Sequence, residues 1–341
     1  MKAIGYTASH DISHPDSLVD IDLQQPKPTG RDLLVKIDAV SVNPVDTKIR
    51  KNVAPEDGQY KILGWDAVGE VIATGEDSEL FTIGDTVWYA GDLTRSGTNA
   101  EYHLVDERIV GKKPNSISKA EAAAVPLTAI TAWELLFDRL GLEKVSSPNK
   151  SNNERLLIIG AAGGVGSILT QLAVKLTNAT VIGTASRATT QDWVKGLGAD
   201  HVLDHSKALT EELARINMEN VTHVISLTHT DQHYPAIVEM LAPQGKLALI
   251  DDPKVPLDIM QLKRKSISLH WEFMFTRSMF ATEDMIEQHN LLNELAELID
   301  SGLIKTTLGE NYGNINAKNL KRAHADIETG KTVGKIVLEG F

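Results

Sequence analysis

The run Leu156 to Gly166 passes from four apolar β-type residues, Leu-Leu-Ile-Ile, into Gly-Ala-Ala-Gly-Gly-Val-Gly, and then into the helical spacing Ile168, Leu169, Leu172, Ala173 and Leu176. A buried strand, a tight glycine turn and a helix N-terminus aim free backbone N–H groups and the positive helix end at one anion, the arrangement that holds a dinucleotide pyrophosphate. Against the pattern G-x-G-x-x-G, Ala161 stands in place of the first glycine. Gly160, Ala161, Gly163, Gly164 and Val165 are therefore candidate cofactor-binding residues, and the cofactor class is a nicotinamide or flavin dinucleotide. Further on, Gly183-Thr184-Ala185-Ser186-Arg187 puts a hydroxyl and a guanidinium where NAD-specific folds carry a carboxylate for the ribose hydroxyls. A carboxylate would repel a 2′-phosphate, whereas Ser186 and Arg187 donate to it, so NADPH is expected over NADH.

Other chemistries are narrowed by composition. The 341 residues include no cysteine, which excludes disulfides, thiolate nucleophiles, iron–sulfur clusters and cysteine-ligated zinc. A net charge of −12 argues against nucleic acid or an anionic membrane as partner. The one basic run, Lys263-Arg264-Lys265, reads as a solvated helix or loop end. His201, His205, His223, His229 and His233 crowd into one third of the chain, with Asp231 between the last two, but no spacing such as H-E-x-x-H appears. They read as strand-end and loop histidines, and no metal site is expected.

These groups need elements to position them. Thr180 to Thr184, Ala199 to Leu203, Val221 to Leu227 and Lys246 to Ile250 read as further strands, with helix-compatible stretches such as Trp193 to Leu197 between them, which predicts a doubly wound parallel sheet. Ahead of it, Leu33 to Ile37, Ala67 to Ala73, Thr86 to Tyr89 and Ala100 to Val105 are short strand candidates between Pro, Gly and Asp turns, the signature of a barrel-like β domain. Ser118 to Leu140 reads as helical, with Ser118 and Glu121 spaced as a capping box. Ser146 to Asn153 reads as a polar surface loop, Ser266 to Phe273 as an edge strand, Ala281 to Ser301 as a helix, and Gly334 to Glu339 as a strand returning to the first domain. The length suggests about two domains. No apolar run is long enough to span a membrane, and Met1-Lys2-Ala3-Ile4 enters a strand pattern without a signal-peptide core, so a cytoplasmic location is expected. An apolar edge strand is an aggregation hazard unless paired, so Ser266 to Phe273 is expected to build a homodimer.

The motifs Ser41-Val42-Asn43-Pro44-Val45-Asp46, Gly64-Trp65-Asp66-Ala67-Val68-Gly69, Gly84-Asp85-Thr86-Val87, Ala100-Glu101-Tyr102, Val125-Pro126-Leu127-Thr128-Ala129-Ile130-Thr131-Ala132 and the glycine loop follow in order along the chain. Together they resemble the medium-chain dehydrogenase/reductase superfamily, more narrowly its zinc-free quinone oxidoreductase and zeta-crystallin branch and the subgroup labelled zinc-type alcohol dehydrogenase-like. The resemblance spans nearly the whole chain. It implies an α/β fold, a Rossmann doubly wound parallel sheet inserted in a GroES-like β-barrel substrate domain, with the active site in the cleft between them. Residues 1–124 would be the substrate domain, 125–268 the dinucleotide-binding domain and 269–341 the return. In zinc-bearing relatives a cysteine precedes the first helix and a Gly-His-Glu carries a second ligand. Here those places hold Asn43 to Asp46 and Gly64-Trp65-Asp66, and the four-cysteine structural lobe is missing, which disfavours zinc-dependent alcohol chemistry.

Hydride transfer without a metal suits a substrate that is already electrophilic, a quinone or an α,β-unsaturated carbonyl, with donors for the developing oxyanion. The resemblance puts Asn43 near the nicotinamide ribose and substrate, where its amide is either that donor or an Asx turn ahead of Pro44. Asp46 either holds Asn43, a water or a lysine, or caps a short helix at 47–50. Trp65 shapes the pocket, Thr128 touches the nicotinamide, and Lys335 joins the cofactor-binding set. His229, after a sheet strand, either protonates an enolate or contacts the cofactor. Trp271-Glu272-Phe273-Met274 is a candidate substrate lining. The competing function is a non-catalytic NADPH-binding sensor or structural protein.

Overall fold

A computed structural model describes residues 1–56, 58–150 and 153–341. Two compact units emerge, one formed by Met1–Ile130 with Phe275–Phe341 and the other by Thr131–Met274. The loop expected at 146–153 includes Ser151 and Asn152, which lie outside the described residues.

The second unit is a six-stranded sheet whose neighbouring strands all run parallel. Its order is His201–Leu203, Thr180–Thr184, Arg155–Ile159, Val221–Ser226, Leu241–Leu249 and Ser268–Trp271. Strands that are apolar on both faces need cover on both, and the intervening helices supply it. Leu157, Ile159, Ile182, Val224, Leu247 and Leu249 pack with Tyr234, Ile237, Leu262 and Ile267 in one buried core. The order turns back between Arg155–Ile159 and Val221–Ser226, so the first strand and its glycine loop sit at the topological switch point, where open α/β sheets bind ligands. Ser268–Trp271 pairs with Leu241–Leu249. The edge strand therefore belongs to this unit, and the chain returns to the first only at Phe275. Lys265, at the end of the basic run, is not merely solvated. Its ammonium donates to the carbonyls of Val238, Glu239 and Leu241 at 2.9, 2.7 and 2.7 Å, closing the C-terminal end of the helix Thr230–Met240.

The first unit holds a seven-stranded sheet built around the long strand Asp32–Val42. That strand pairs with Asp66–Thr74, with Tyr102–Asp106 and with the C-terminal strand Lys335–Glu339. Register shifts between Leu34 and Val35 and between Ile37 and Ala39 bend it enough to serve these partners. A smaller sheet joins Val19–Asp22, Lys2–Tyr6 and Lys61–Ile62. The expected helix at 118–140 is three pieces: Lys119–Ala123, Pro126–Trp133 and a π-helical Glu134–Arg139. Pro126 lacks the N–H that would continue the first piece. The capping box is present, with Ser118 N–H donating to Glu121 at 2.8 Å and Glu121 N–H to the Ser118 hydroxyl at 3.2 Å.

The glycine loop shows why its residues are small. Gly160 has φ +85°, in the region that favours glycine. A Cβ on Gly166 would lie 2.4 Å from the Gly160 carbonyl oxygen and 2.6 Å from Ala161 Cα, backbone atoms that cannot step aside. Gly166→Ala is therefore expected to destabilise the second unit by about 1–3 kcal/mol through overpacking, with a matching fall in its denaturant midpoint. Unchanged stability would show that the loop can open.

Candidate cofactor cradle and buried polar centre

In the second unit the helix Gly164–Leu176 begins with Gly163 as its N-cap, directly after the strand Arg155–Ile159 and the turn at Gly160. Ala161 is buried, while Ala162 to Val165 are half-buried along the turn. The Gly160 N–H donates to the Thr184 hydroxyl at 3.1 Å, tying the loop to the end of the neighbouring strand. Ser186 and Arg187 follow that strand end, Ser186 half-buried and Arg187 exposed as the N-cap of the helix Ala188–Gly196. The sequence thus brings Gly160, Ala161, Gly163, Gly164, Val165, Ser186 and Arg187 to one edge of the sheet. The cradle fits a dinucleotide pyrophosphate: a helix N-terminus, a left-handed glycine, and no acid at Ser186 or Arg187. His229 lies at the same edge, exposed, with φ +52° and its Nδ1 2.7 Å from the Thr228 hydroxyl.

At the end of the edge strand, Trp271 and Phe273 are exposed, whereas Glu272 and Met274 are buried. Glu272 accepts from Arg139 Nε at 2.7 Å. Burial, reinforced by the Glu134 carboxylate, pushes its pKa up to about 9 against the pull of the Arg139 guanidinium. Glu272 is an internal buried acid, and only Trp271 and Phe273 of this segment present a surface.

The first unit contains a polar centre that sequence reasoning placed only in outline. Asp66, fully buried at the start of its strand, accepts from Asn43 Nδ2 at 2.8 Å, Ser41 Oγ at 3.2 Å and Lys335 Nζ at 3.0 Å through Oδ2. Its Oδ1 accepts from the Leu127 N–H at 2.7 Å, in the first turn of Pro126–Trp133. Lys335, itself buried, also donates to Asn43 Oδ1. Both Asn43 amide hydrogens are therefore directed inward, one to Asp66 and one at 3.5 Å to the Ser41 carbonyl. Of the two roles expected of Asn43, neither is tested by this geometry; its amide contacts Asp66, Lys335 and the Ser41 carbonyl.

Asp46 closes the N-terminus of the helix Pro44–Asn52, which begins earlier than the helix expected at 47–50. Its Oδ2 accepts from the Asn43 N–H at 2.7 Å. Burial raises its pKa to about 7 against the opposing pull of that N–H and the Lys335 ammonium. Its Oδ1 makes no hydrogen bond. With one ammonium and two carboxyls enclosed together, a proton on Asp46 leaves the centre neutral.

The other candidate residues of this unit make contacts within the protein. Trp65 is fully buried, donates from Nε1 to the Asp92 carbonyl at 3.1 Å and meets Phe275 edge-on at 6.2 Å. Thr128 is buried and spends its hydroxyl on the Val125 carbonyl at 3.0 Å. Lys335, expected to bind cofactor, is consumed by Asp66 and Asn43. Asp66 itself was legible only as the last residue of Gly64-Trp65-Asp66. The available signal was an acid opening one apolar strand and a lysine opening another, Lys335-Ile336-Val337-Leu338. Zinc does not fit this chain's residues here: an ammonium already engages the Asp66 oxygen, and among the described residues no group of three His, Cys, Asp or Glu could hold a metal.

Comparison with known proteins places these features. The family model described as zinc-binding dehydrogenase matches residues 197–338, and the one described as alcohol dehydrogenase GroES-like domain matches residues 29–115. The zinc-type alcohol dehydrogenase-like protein of Staphylococcus epidermidis is 38% identical over 338 residues, 99% of each chain. A solved structure from Rhizobium etli CFN 42, named for zinc-dependent alcohol dehydrogenases, is 53% identical with a TM-score of 0.95 and covers 100% of this chain and 98% of its own. The Escherichia coli quinone oxidoreductase complexed with NADPH is 25% identical with a TM-score of 0.84, covering 99% of this chain and all of its own.

Two outcomes follow from the buried centre. Lys335→Met strands the Asp66 carboxylate without its cation and is expected to destabilise the first unit by about 3–5 kcal/mol, part of which Asp66→Asn added in the same chain restores. A loss that Asp66→Asn only deepens would remove the ion pair as the cause. Asp46 holds in the folded state a proton that the unfolded chain releases near pH 4. Its contribution is therefore fully present below that value and is lost as pH rises to about 7. Asp46→Asn keeps an acceptor for the Asn43 N–H, so its melting temperature should gain several degrees on the wild type between pH 5 and pH 8; parallel curves would refute a protonated Asp46.

Proposed function

We propose a function for a chain that belongs to the medium-chain dehydrogenase/reductase superfamily, in its quinone-oxidoreductase-like branch: NADPH-dependent reduction of a quinone or an α,β-unsaturated carbonyl, without a catalytic metal. The observation that carries it is the Asp66 centre, where Lys335, Asn43, Ser41 and the Leu127 N–H take up the carboxylate. A centre whose Asp66 carboxylate is already taken up by an ammonium and three other donors leaves that carboxylate no free place for a metal that would polarise an alcohol or a plain ketone, which suits acceptors whose own conjugation makes them electrophilic.

NADPH, when bound, supplies the hydride. The turn at Gly160 and the N–H groups that open Gly164–Leu176 hold its pyrophosphate, and Ser186 and Arg187 hold the 2′-phosphate. Asn43 and Lys335 act as positioning residues, since each touches Asp66 rather than open space. Trp65 gives the interior a rigid apolar wall.

The protein is further proposed to be a homodimer. Ser268–Trp271 is the last strand of its sheet, and Trp271 and Phe273 are 54% and 47% exposed beside it. Such an edge is protected when a second copy continues it.

Purified protein is expected to oxidise NADPH with quinones and enals, not with saturated ketones, at rates unaffected by chelators. Stoichiometric zinc lost together with activity would overturn the metal-free mechanism. NADPH binding with no turnover on any acceptor would point to a cofactor-binding protein instead. Arg187→Ala should lower the preference for NADPH over NADH by about tenfold, the loss of one hydrogen bond to a charged group. Light scattering should give a dimer at micromolar concentration, and Trp271→Glu a monomer; a monomeric wild type would remove the edge-strand interface.

A further inference from the structure

Three histidines with no part in the function above meet at the rim of the glycine cradle. His205 follows the strand His201–Leu203, and its Nδ1 lies 3.2 Å from the Thr184 hydroxyl, the same oxygen that accepts the Gly160 N–H. His233, in the first turn of Thr230–Met240, has its ring centroid 6.3 Å from that of His205. His229 precedes that helix, and Thr228, whose hydroxyl it meets, brings its methyl carbon 3.0 Å from where a Gly160 side chain would start. Three imidazoles, two from strand-end loops and one from the first turn of a helix, thus share one edge with the cradle and with Ser186 and Arg187.

The charged neighbours do not neutralise them. Asp204 is held by Ser206 and approached by Lys207 at 3.8 Å, and Glu212 is taken by Arg215 and the Asp204 N–H. Asp231 accepts from the Gln232 and Lys254 amides, and Asp251 from Thr230. Burial lowers the basicity of His205 and His233, His229 lowers both further and His205 lowers that of His233, while Asp204 opposes this only partly at His205, as Asp231 and Asp251 do at His233. An anion brought beside them would raise that basicity again.

We propose that His205, His229 and His233 form a second anion-recognition wall beside Arg187, which takes up a proton when the 2′-phosphate of NADPH binds and so makes the preference for NADPH over NADH pH-dependent. This rests on the NADPH assignment above. The proton comes from solvent and goes to an imidazole nitrogen; no covalent bond changes. The sign is distinctive. A phosphate monoester loses its second charge below about pH 6, so a site built only of fixed cations binds it more weakly as pH falls. Imidazoles that gain charge do the reverse between pH 8 and pH 6.5.

Calorimetry of NADPH and NADH binding to the whole protein, in buffers of different ionisation enthalpy, reads this directly. The expected result is uptake of about half to one proton with NADPH and none with NADH, and an NADPH-to-NADH affinity ratio that rises about five- to thirtyfold from pH 8 to pH 6.5. His205→Gln with His233→Gln should abolish the rise while leaving the contribution of Arg187. No proton uptake with NADPH, equal uptake with both cofactors, or a rise that survives the double substitution would each overturn the inference. A pH-independent preference for NADPH would do so while leaving the function intact, whereas binding of neither cofactor would remove both.

Discussion

The contact on which the first unit depends is the buried ion pair between Lys335 and Asp66, 269 residues apart in sequence. Two charges removed from water are favourable only when every remaining donor and acceptor is met. That requirement gathers the other participants. Asp66 takes Asn43 and Ser41 at one oxygen and the N-terminus of Pro126–Trp133 at the other, while Lys335 reaches the Asn43 carbonyl oxygen. Three strands and two helices are thereby fixed to one point, and the C-terminal strand cannot leave Asp32–Val42 without uncovering a charge.

The second unit is organised by a steric limit in place of an electrostatic one. Ala161, Gly160 and Gly166 bring the strand end and the helix start closer than side chains would allow. The close approach leaves the N–H groups of the following turn facing outward for an anion. Here the backbone forms the anion cradle, and the proposed discrimination falls to the side chains at the neighbouring strand ends, Thr184, Ser186, Arg187 and His205.

These two kinds of order differ in how far the sequence reveals them. Strand Thr180–Thr184 and the glycine turn were legible because period, glycine spacing and local length are properties of neighbours in the chain. The capping box at Ser118 and Glu121 was legible for the same reason. The role of Asn43 was not, because it depends on where Asp66 and Lys335 arrive from distant strands, and the same amide could as well face solvent. The π-helical turn at 134–139 has no local signature, and its Arg139 is paired with Glu272 from the far end of the same unit. The histidine group was visible as a concentration of residues. Its geometry was not, since His205 and His233 meet only because the strands that precede them, His201–Leu203 and Val221–Ser226, end at the same edge of the sheet on either side of Thr180–Thr184 and Arg155–Ile159.

The name carried by the relatives invites a zinc ion at the segment Gly64-Trp65-Asp66, and the electrostatics of that segment argue otherwise. A divalent cation needs ligands free of their own partners, and Asp66 already has an ammonium within 3.0 Å. Ejecting Lys335 to admit a metal would leave a buried ammonium without its carboxylate, facing Asn43 alone. The centre instead keeps one fixed positive charge that organises its neighbours and does not act as a Lewis acid. In the proposed function, hydride transfer rests on the cradle in the second unit, and the acceptor must then carry its own electrophilicity; on that reading the Lys335–Asp66 pair bears on substrate class as well as on stability.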